Sequence, residues 1–156
     1  MSTPSNDPQS GSGRIVVGVD GSSHSEEALR WAVGQGRVTG QPVDAVISWS
    51  IPVDYSIAGA GPLLSFDWED VAAGVLKDEV EKVVEPQDAG RVSQHVVMGH
   101  PAKVLLDASA DAELLVVGSR GRGGFTGMLL GSVSQNVIAR AACPVVVVRD
   151  HVDPPE

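Results

Sequence analysis

Several residue types are scarce in this 156-residue chain, and each scarcity excludes a class of protein. A single cysteine, Cys143, excludes an intrachain disulfide and indicates a reducing, cytoplasmic location. No apolar run reaches the roughly 20 residues of a membrane-spanning helix, and the polar N-terminus lacks the apolar segment of a signal peptide. Acidic residues outnumber basic ones by 20 to 11, and the net charge of −9 argues against general binding to nucleic acid or anionic membranes.

Two widespread phosphate-binding motifs are absent as well. No lysine follows Lys103, which excludes a P-loop in the glycine-rich part of the chain. A dinucleotide fingerprint beginning with Gly121 and Gly123 fails at Thr126, where a third glycine is required. The four histidines share no metal-ligand spacing, and we expect surface or helix-start positions for them; they are His24, His95, His100 and His151. The sequence also shows no Ser/His/Asp set and no paired carboxylates in the glycine-rich loop, so it predicts no fast catalyst.

What the chain has is aliphatic residues in a strand-and-helix pattern. Hydrophobic residues make up 42% and aromatics only 4%, so the core must be mostly Val, Leu, Ile and Ala. Five short segments predict strands at residues 14–19, 43–49, 92–98, 114–117 and 144–148, and the apolar runs at 14–19 and 114–117 are typical of buried strands. Helical periodicity lies between them: after a capping box at Ser23 and Glu26, from Trp68 to Val83, after Pro101, and from about Ser132.

This alternation predicts an α/β domain over residues 14–149, with a five-stranded parallel sheet and helices on both faces. Residues 1–13 and 150–156 are predicted to be tails. Such sheets bind ligands beyond the carboxyl ends of their strands, where the strand order reverses. In a flavodoxin-like order, 3-2-1-4-5, the first and fourth strands flank that point, so Asp20 and Gly118 are expected to border one crevice.

The stretch from Gly118 to Ser134, GSRGRGGFTGMLLGSVS, has the spacing G-x2-G-x9-G-S between a strand and a helix. Glycines permit positive φ and close approach of the backbone to a ligand. The N–H groups and dipole of a new helix attract phosphate, and Arg120 and Arg122 add positive charge. The pattern therefore favours an anion site, although a surface loop before an ordinary helix would also produce it.

Three features together resemble the universal stress protein family. G-x2-G-x9-G-[ST] is similar to that family's ATP-binding signature, IVVGVDGS at 15–22 to its first strand, and CPVVVV at 143–148 to its last. The resemblance covers residues 14–149 and implies the same adenine nucleotide alpha hydrolase-like fold. One departure is the arginine-rich RGRGG segment, which leaves the phosphate contacts open.

The resemblance also implies a set of binding residues. Gly18 and Val19 would border the base, Asp20 would contact the nucleoside, and the backbone of Ser48 would contact adenine. The remaining members would lie against the ribose or reach the phosphates: Val117, Gly118, Arg120, Gly121, Gly131, Ser132, Val133 and Ser134. Two of these have simpler readings, because Asp20 could be a turn aspartate and Ser132 an N-cap.

The function expected from this resemblance is that of an ATP-binding regulatory or stress-response factor and not of an enzyme. A bound Mg²⁺ leaves slow ATP hydrolysis possible, because the ion polarises phosphates without dedicated side chains. The alternatives are a binder of AMP or cyclic AMP, or a slow phosphoryl- or nucleotidyl-transfer enzyme. Residues 51–64, rich in Gly, Ala and Pro, are either a tolerated insertion or a lid or dimer contact.

The last strand is nearly all valine and lies at the sheet edge in the expected order. An exposed apolar edge is a template for pairing with another chain. The sequence therefore predicts a homodimer through Val145, Val146, Val147 and Val148, as the resemblance also implies. The alternative is an edge covered by the chain's own C-terminal tail.

Overall fold

The computed structural model describes residues 13–51, 66–121 and 130–149. The predictions for most of the N-terminal tail, for residues 52–64, for Arg122 and for the C-terminal tail lie outside these ranges. The described strands are β1 (Ile15–Gly18), β2 (Val43–Trp49), β3 (Val92–Met98), β4 (Leu114–Gly118) and β5 (Val145–Val148). The helices are α1 (Ser23–Thr39), α2 (Trp68–Val83), α3 (Pro101–Ala108) and α4 (Ser132–Arg140), with a 3-10 helix at Pro86–Arg91.

All five strands are parallel, in the order β3-β2-β1-β4-β5, as the sequence predicts. β1 pairs with both β2 and β4. The chain therefore adds β2 and β3 on one side of β1 and then β4 and β5 on the other side. The segments that leave β1 and β4 therefore diverge, and a crevice forms between them at the carboxyl ends of these strands.

The two faces of the sheet carry two apolar cores. On the face covered by α1 and α2, the core includes Val17, Leu29 and Leu76; on the face of α3 and α4 it includes Leu115 and Val137. Each of these five side chains is fully or almost fully buried, and burial of one such side chain contributes about 1.5–3 kcal/mol. No helix of the described ranges is long and apolar enough to cross a membrane.

Side chains cap three of the four described α-helices at their N-termini. Ser22 Oγ accepts a hydrogen bond from Ser25 N (3.2 Å) at the start of α1, so the predicted capping box at Ser23 is wrong by one residue. Asp67 caps α2 through Asp70 N, and His100 caps α3, as expected for a helix-start histidine. No side chain caps α4, whose N-cap residue is Gly131.

Candidate functional site

A cavity of about 720 Å³ opens at the carboxyl ends of β1, β2 and β4. Segments that are far apart in the sequence meet there, because the strand order reverses between β1 and β4. All twelve residues singled out from the sequence line this cavity: Gly18, Val19, Asp20, Ser48, Val117, Gly118, Arg120, Gly121, Gly131, Ser132, Val133 and Ser134. The tertiary structure therefore gives these residues one common location.

Asp20 is held in a turn at the end of β1. Its Oδ1 accepts a hydrogen bond from Ser22 N (2.8 Å), and its own N–H donates to Ser25 Oγ (3.1 Å). Gly21 has a φ of 83°, a value that favours glycine in this turn. The other carboxylate oxygen, Oδ2, lies beside the backbone of Gly121, since a Cβ built there would be 2.6 Å from it. The expected turn role is thus present, and the same carboxylate also faces the glycine-rich loop.

The three described glycines of the spacing, Gly118, Gly121 and Gly131, allow close packing and do not have positive φ, which corrects part of the sequence-based expectation. Gly131 has a φ of −75°, and φ is likewise outside the left-handed region at Gly118 and Gly121. A Cβ at Gly118 would lie 2.7 Å from the backbone carbonyl of His24, and one at Gly131 would lie 3.3 Å from the Cα of Arg120. Gly118 and Gly131 therefore each let two segments of the site approach along their backbones.

The N-terminus of α4 faces the cavity without a capping side chain. Gly131 N donates to Ser119 O (2.7 Å), and the first hydrogen bond of the helix runs from Gln135 N to Gly131 O (3.0 Å). The N–H groups of Ser132, Val133 and Ser134 precede that bond and have no partner within the helix. Ser132 is the first helical residue, so the reading of Ser132 as the N-cap is wrong.

A buried hydroxyl fixes α4 against the end of β4. Ser134 Oγ donates to Gly118 O (2.6 Å), and Ser119 O lies 3.3 Å from the same oxygen. Ser134 is only 3% exposed, so this hydrogen bond is formed away from water. The positive end of the α4 dipole is consequently held at a fixed position beside Gly118 and Gly121, where it favours an anion.

Ser48 presents its backbone to the cavity. Val46 C=O accepts from Val19 N (2.9 Å), so the polar backbone groups of Val46 point toward β1. Backbone direction alternates along a strand, and the N–H and C=O of Ser48 therefore point to the same side as those of Val46. β1 ends at Gly18, and at the level of Ser48 that side is open to the cavity. One residue thus offers an adjacent donor and acceptor.

The sequence missed an apolar wall on the other side of the cavity. Trp68, Val71, Ala72 and Val75 of α2 line it, together with Trp49 at the end of β2. Their helical spacing was visible in the sequence, but it predicted only burial against the sheet. Further lining residues that the sequence did not indicate are Ser25, Val46, Ile47, Ser50, Pro101, Leu105 and Gln135.

Charge at the site is sparse and mixed. Asp20 and Arg120 are the charged residues among the described lining residues. The described ranges contain no group of three or more His, Cys, Asp or Glu side chains that could hold a metal ion by themselves. The arrangement is therefore suited to binding an elongated molecule with an anionic end and an apolar end.

Comparison with known proteins agrees with this fold. A model of the universal stress protein family matches residues 11–149. Universal stress protein Rv2623 of Mycobacterium tuberculosis is 37% identical over 139 residues, covering 87% of this chain and 45% of the relative. A universal stress protein of Mycolicibacterium smegmatis is 38% identical over 135 residues, covering 86% and 45%. The chain thus spans about half the length of the curated relatives it matches.

Solved structures show the same architecture. UspA from Lactobacillus plantarum superimposes with a TM-score of 0.74 at 23% identity, covering 87% of this chain and 97% of that one. A universal stress protein in complex with cAMP has a TM-score of 0.56 at 25% identity, covering 91% and 100%. A universal stress protein of Archaeoglobus fulgidus in complex with dAMP has a TM-score of 0.52 at 25% identity, covering 86% and 96%.

Proposed function

Because this chain belongs to the universal stress protein family, we propose that it binds an adenine nucleotide, ATP with Mg²⁺, in the cavity between β1 and β4. The observation that carries the proposal is the uncapped N-terminus of α4, which faces a cavity whose opposite wall is apolar. The nucleotides in two structural neighbours, cAMP and dAMP, support an adenine ligand.

The two ends of the cavity suit the two ends of a nucleotide. The phosphates would bind the N–H groups at the start of α4, with Arg120 and Gly121 beside them. The base would lie near Ser48, whose backbone donor and acceptor match the edge of a purine, against the apolar wall of α2. Asp20 would accept a hydrogen bond from a sugar hydroxyl and would not contact the phosphates, because a carboxylate and a phosphate are both negatively charged and repel each other.

We propose that the nucleotide serves regulation and not rapid catalysis. Among the described residues that line the cavity, Asp20 is the one carboxylate, and there is no histidine or cysteine. A general base and a second group to orient it are therefore not evident in this part of the chain. The bound nucleotide would instead favour one conformation or one interface of a cytoplasmic homodimer.

Calorimetric titration with ATP, AMP and cyclic AMP, with and without Mg²⁺, tests the proposal. We expect ATP to bind in the micromolar range, with little release of phosphate by the pure protein. Tighter binding of AMP or cyclic AMP would identify a monophosphate as the ligand, the alternative that the neighbours' ligands favour. The proposal fails if no adenine nucleotide produces heat, and rapid repeated turnover of ATP would show an enzyme.

Asp20→Ala should weaken nucleotide binding without abolishing it. The substitution removes one hydrogen bond acceptor in a half-buried position, which corresponds to about 1–2 kcal/mol, or roughly five- to thirtyfold in Kd. Asp107→Ala is the matched control, because Asp107 is exposed and pairs with Lys103 away from the cavity. Equal Kd values for Asp20→Ala and wild type would show that Asp20 is only a turn residue.

A further inference from the structure

Glu79 occupies a position between the cavity wall and an interhelical ion pair. It follows Val75 by four residues and so lies on the same face of α2, one turn beyond the lining of the cavity. Three residues later, Lys82 Nζ reaches across to Glu26 Oε2 of α1 (3.0 Å). The helices α1 and α2 are thus joined beside Glu79, and both contribute residues to the cavity.

One oxygen of the Glu79 carboxylate is buried without compensation. Its Oε2 is shielded from solvent and accepts no hydrogen bond within the described ranges. A buried acceptor of this kind destabilises the charged form, because the carboxylate loses water and gains no donor. Protonation would relieve this cost by making the group neutral and giving it a donor O–H.

The charges around Glu79 act mostly in the same direction. Burial is the largest cause that raises the pKa of Glu79, followed by the carboxylate of Glu26; Lys82 opposes them, and Asp20 and Asp78 raise the pKa further. Arg30 is drawn to Glu26, with Nη2 to Oε1 at 3.1 Å. The facing residues of the described strands β2 and β3 are not titratable: Val43, Ala45, Ile47, Trp49, Val92, Gln94, Val96 and Met98.

We propose that Glu79 is a proton-binding group that regulates the nucleotide cavity, with the protonated form binding nucleotide more tightly than the charged form. The proposal rests on the proposed function. Asp20 lines the cavity and raises the pKa of Glu79, so Glu79 interacts with charge inside the cavity although it lies one turn beyond the lining. A polyphosphate brings further negative charges into the same cavity, and a charged Glu79 opposes them. By linkage, nucleotide binding favours uptake of a proton by Glu79, and acidification strengthens binding.

The test compares nucleotide affinity at pH 7.5 and pH 5.5 in wild type, Glu79→Gln and Glu81→Gln. Glutamine imitates the neutral carboxyl, so Glu79→Gln should bind ATP about three- to tenfold more tightly than wild type at pH 7.5, and this difference should become smaller at pH 5.5. Glu81→Gln removes the same charge from an exposed position of α2 and should follow wild type. Titration of the ligand is common to all three proteins and cancels in the comparison.

The possible outcomes separate this inference from the function on which it rests. Wild type and Glu79→Gln with parallel affinity profiles would overturn the role of Glu79 and leave nucleotide binding intact. Failure of every variant to bind any adenine nucleotide at either pH would overturn both. A gain in Glu81→Gln equal to that in Glu79→Gln would show a general charge effect and would also overturn the specific role of Glu79.

Thermal unfolding gives a second readout that needs no ligand. A pKa raised in the folded state means that the stability linked to protonated Glu79 is fully present below the unfolded pKa, near 4.5, and is lost as pH rises through the folded pKa. Glu79→Gln keeps the neutral form at every pH, so its Tm should exceed that of wild type at pH 7.5 and approach it at pH 4. If Glu79→Gln has a lower Tm than wild type at pH 7.5, the charged carboxylate of Glu79 does not destabilise the folded protein, and the inference is contradicted.

Discussion

Gly131→Val is expected to abolish detectable nucleotide binding while leaving the protein folded. A Cβ at Gly131 would lie 3.3 Å from the Cα of Arg120 and 3.4 Å from the backbone N of Gly121, so a branched side chain must push the loop away from α4. The phosphates would then lose backbone donors on both sides. Loss of two hydrogen bonds to a charged group costs about 3–6 kcal/mol, which is at least about a hundredfold in Kd.

Gly121→Val should have a similar effect for a different reason. Its Cβ would lie 2.6 Å from Asp20 Oδ2, so the valine displaces the carboxylate as well as filling the space beside the loop. The control is Gly74→Val, because Gly74 lies on the exposed side of α2 and nothing lies within 4 Å of a Cβ at that position. Calorimetry measures the Kd of each variant and circular dichroism checks its fold. A folded Gly131→Val protein with wild-type affinity would show that this loop has only a structural role.

Val147→Lys is expected to convert the proposed homodimer into a monomer. In β5, Val148 C=O accepts from Ser119 N (2.8 Å) and Pro144 C=O accepts from Leu115 N (3.0 Å), so the even-numbered residues point their backbone groups toward β4. The N–H and C=O groups of Val145 and Val147 therefore point outward from the edge of the sheet. These are the groups available for pairing with a second chain.

A two-fold axis at Val146 would place Val145 opposite Val147 of the second copy, in two hydrogen-bonded antiparallel pairs. A lysine at residue 147 would introduce two charges into this contact, and their desolvation would cost at least about 2–3 kcal/mol, or roughly a hundredfold in the dimer Kd. Val147→Pro is a second variant, because proline removes the outward N–H and leaves the ladder to β4 intact. Sedimentation at micromolar concentration measures the mass of each protein.

Val97→Lys is the matched control for this prediction, since Val97 is exposed on β3, the opposite edge of the sheet. It should retain the dimer. Dissociation by Val97→Lys and not by Val147→Lys would assign the dimer contact to β3. A wild-type protein that sediments as a monomer would exclude the dimer altogether.

The sequence by itself determined the elements and their order. β2 and β3 have the predicted bounds, Val43–Trp49 and Val92–Met98, because residues that favour turns or end a helix flank both segments. The strand order followed from alternation of strands and helices and from the handedness of their connections, together with the family resemblance. The glycine spacing from Gly118 to Gly131 located the helix whose N-terminus faces the cavity, since helix starts and glycine positions are local features.

Other properties depended on contacts between distant parts of the chain. The sequence predicted positive φ at Gly121 and Gly131, whereas the structure shows that these residues are glycines because Asp20 and Arg120 lie too close for a side chain. This crowding arises only when the loop folds against β1 and α4. The same applies to the apolar wall of α2 and to Glu79: helical periodicity shows that a face is buried, but not what it is buried against. The sequence therefore set which groups face inward, and the packing of α1, α2 and α4 around the end of β1 decided which of them meet at the cavity.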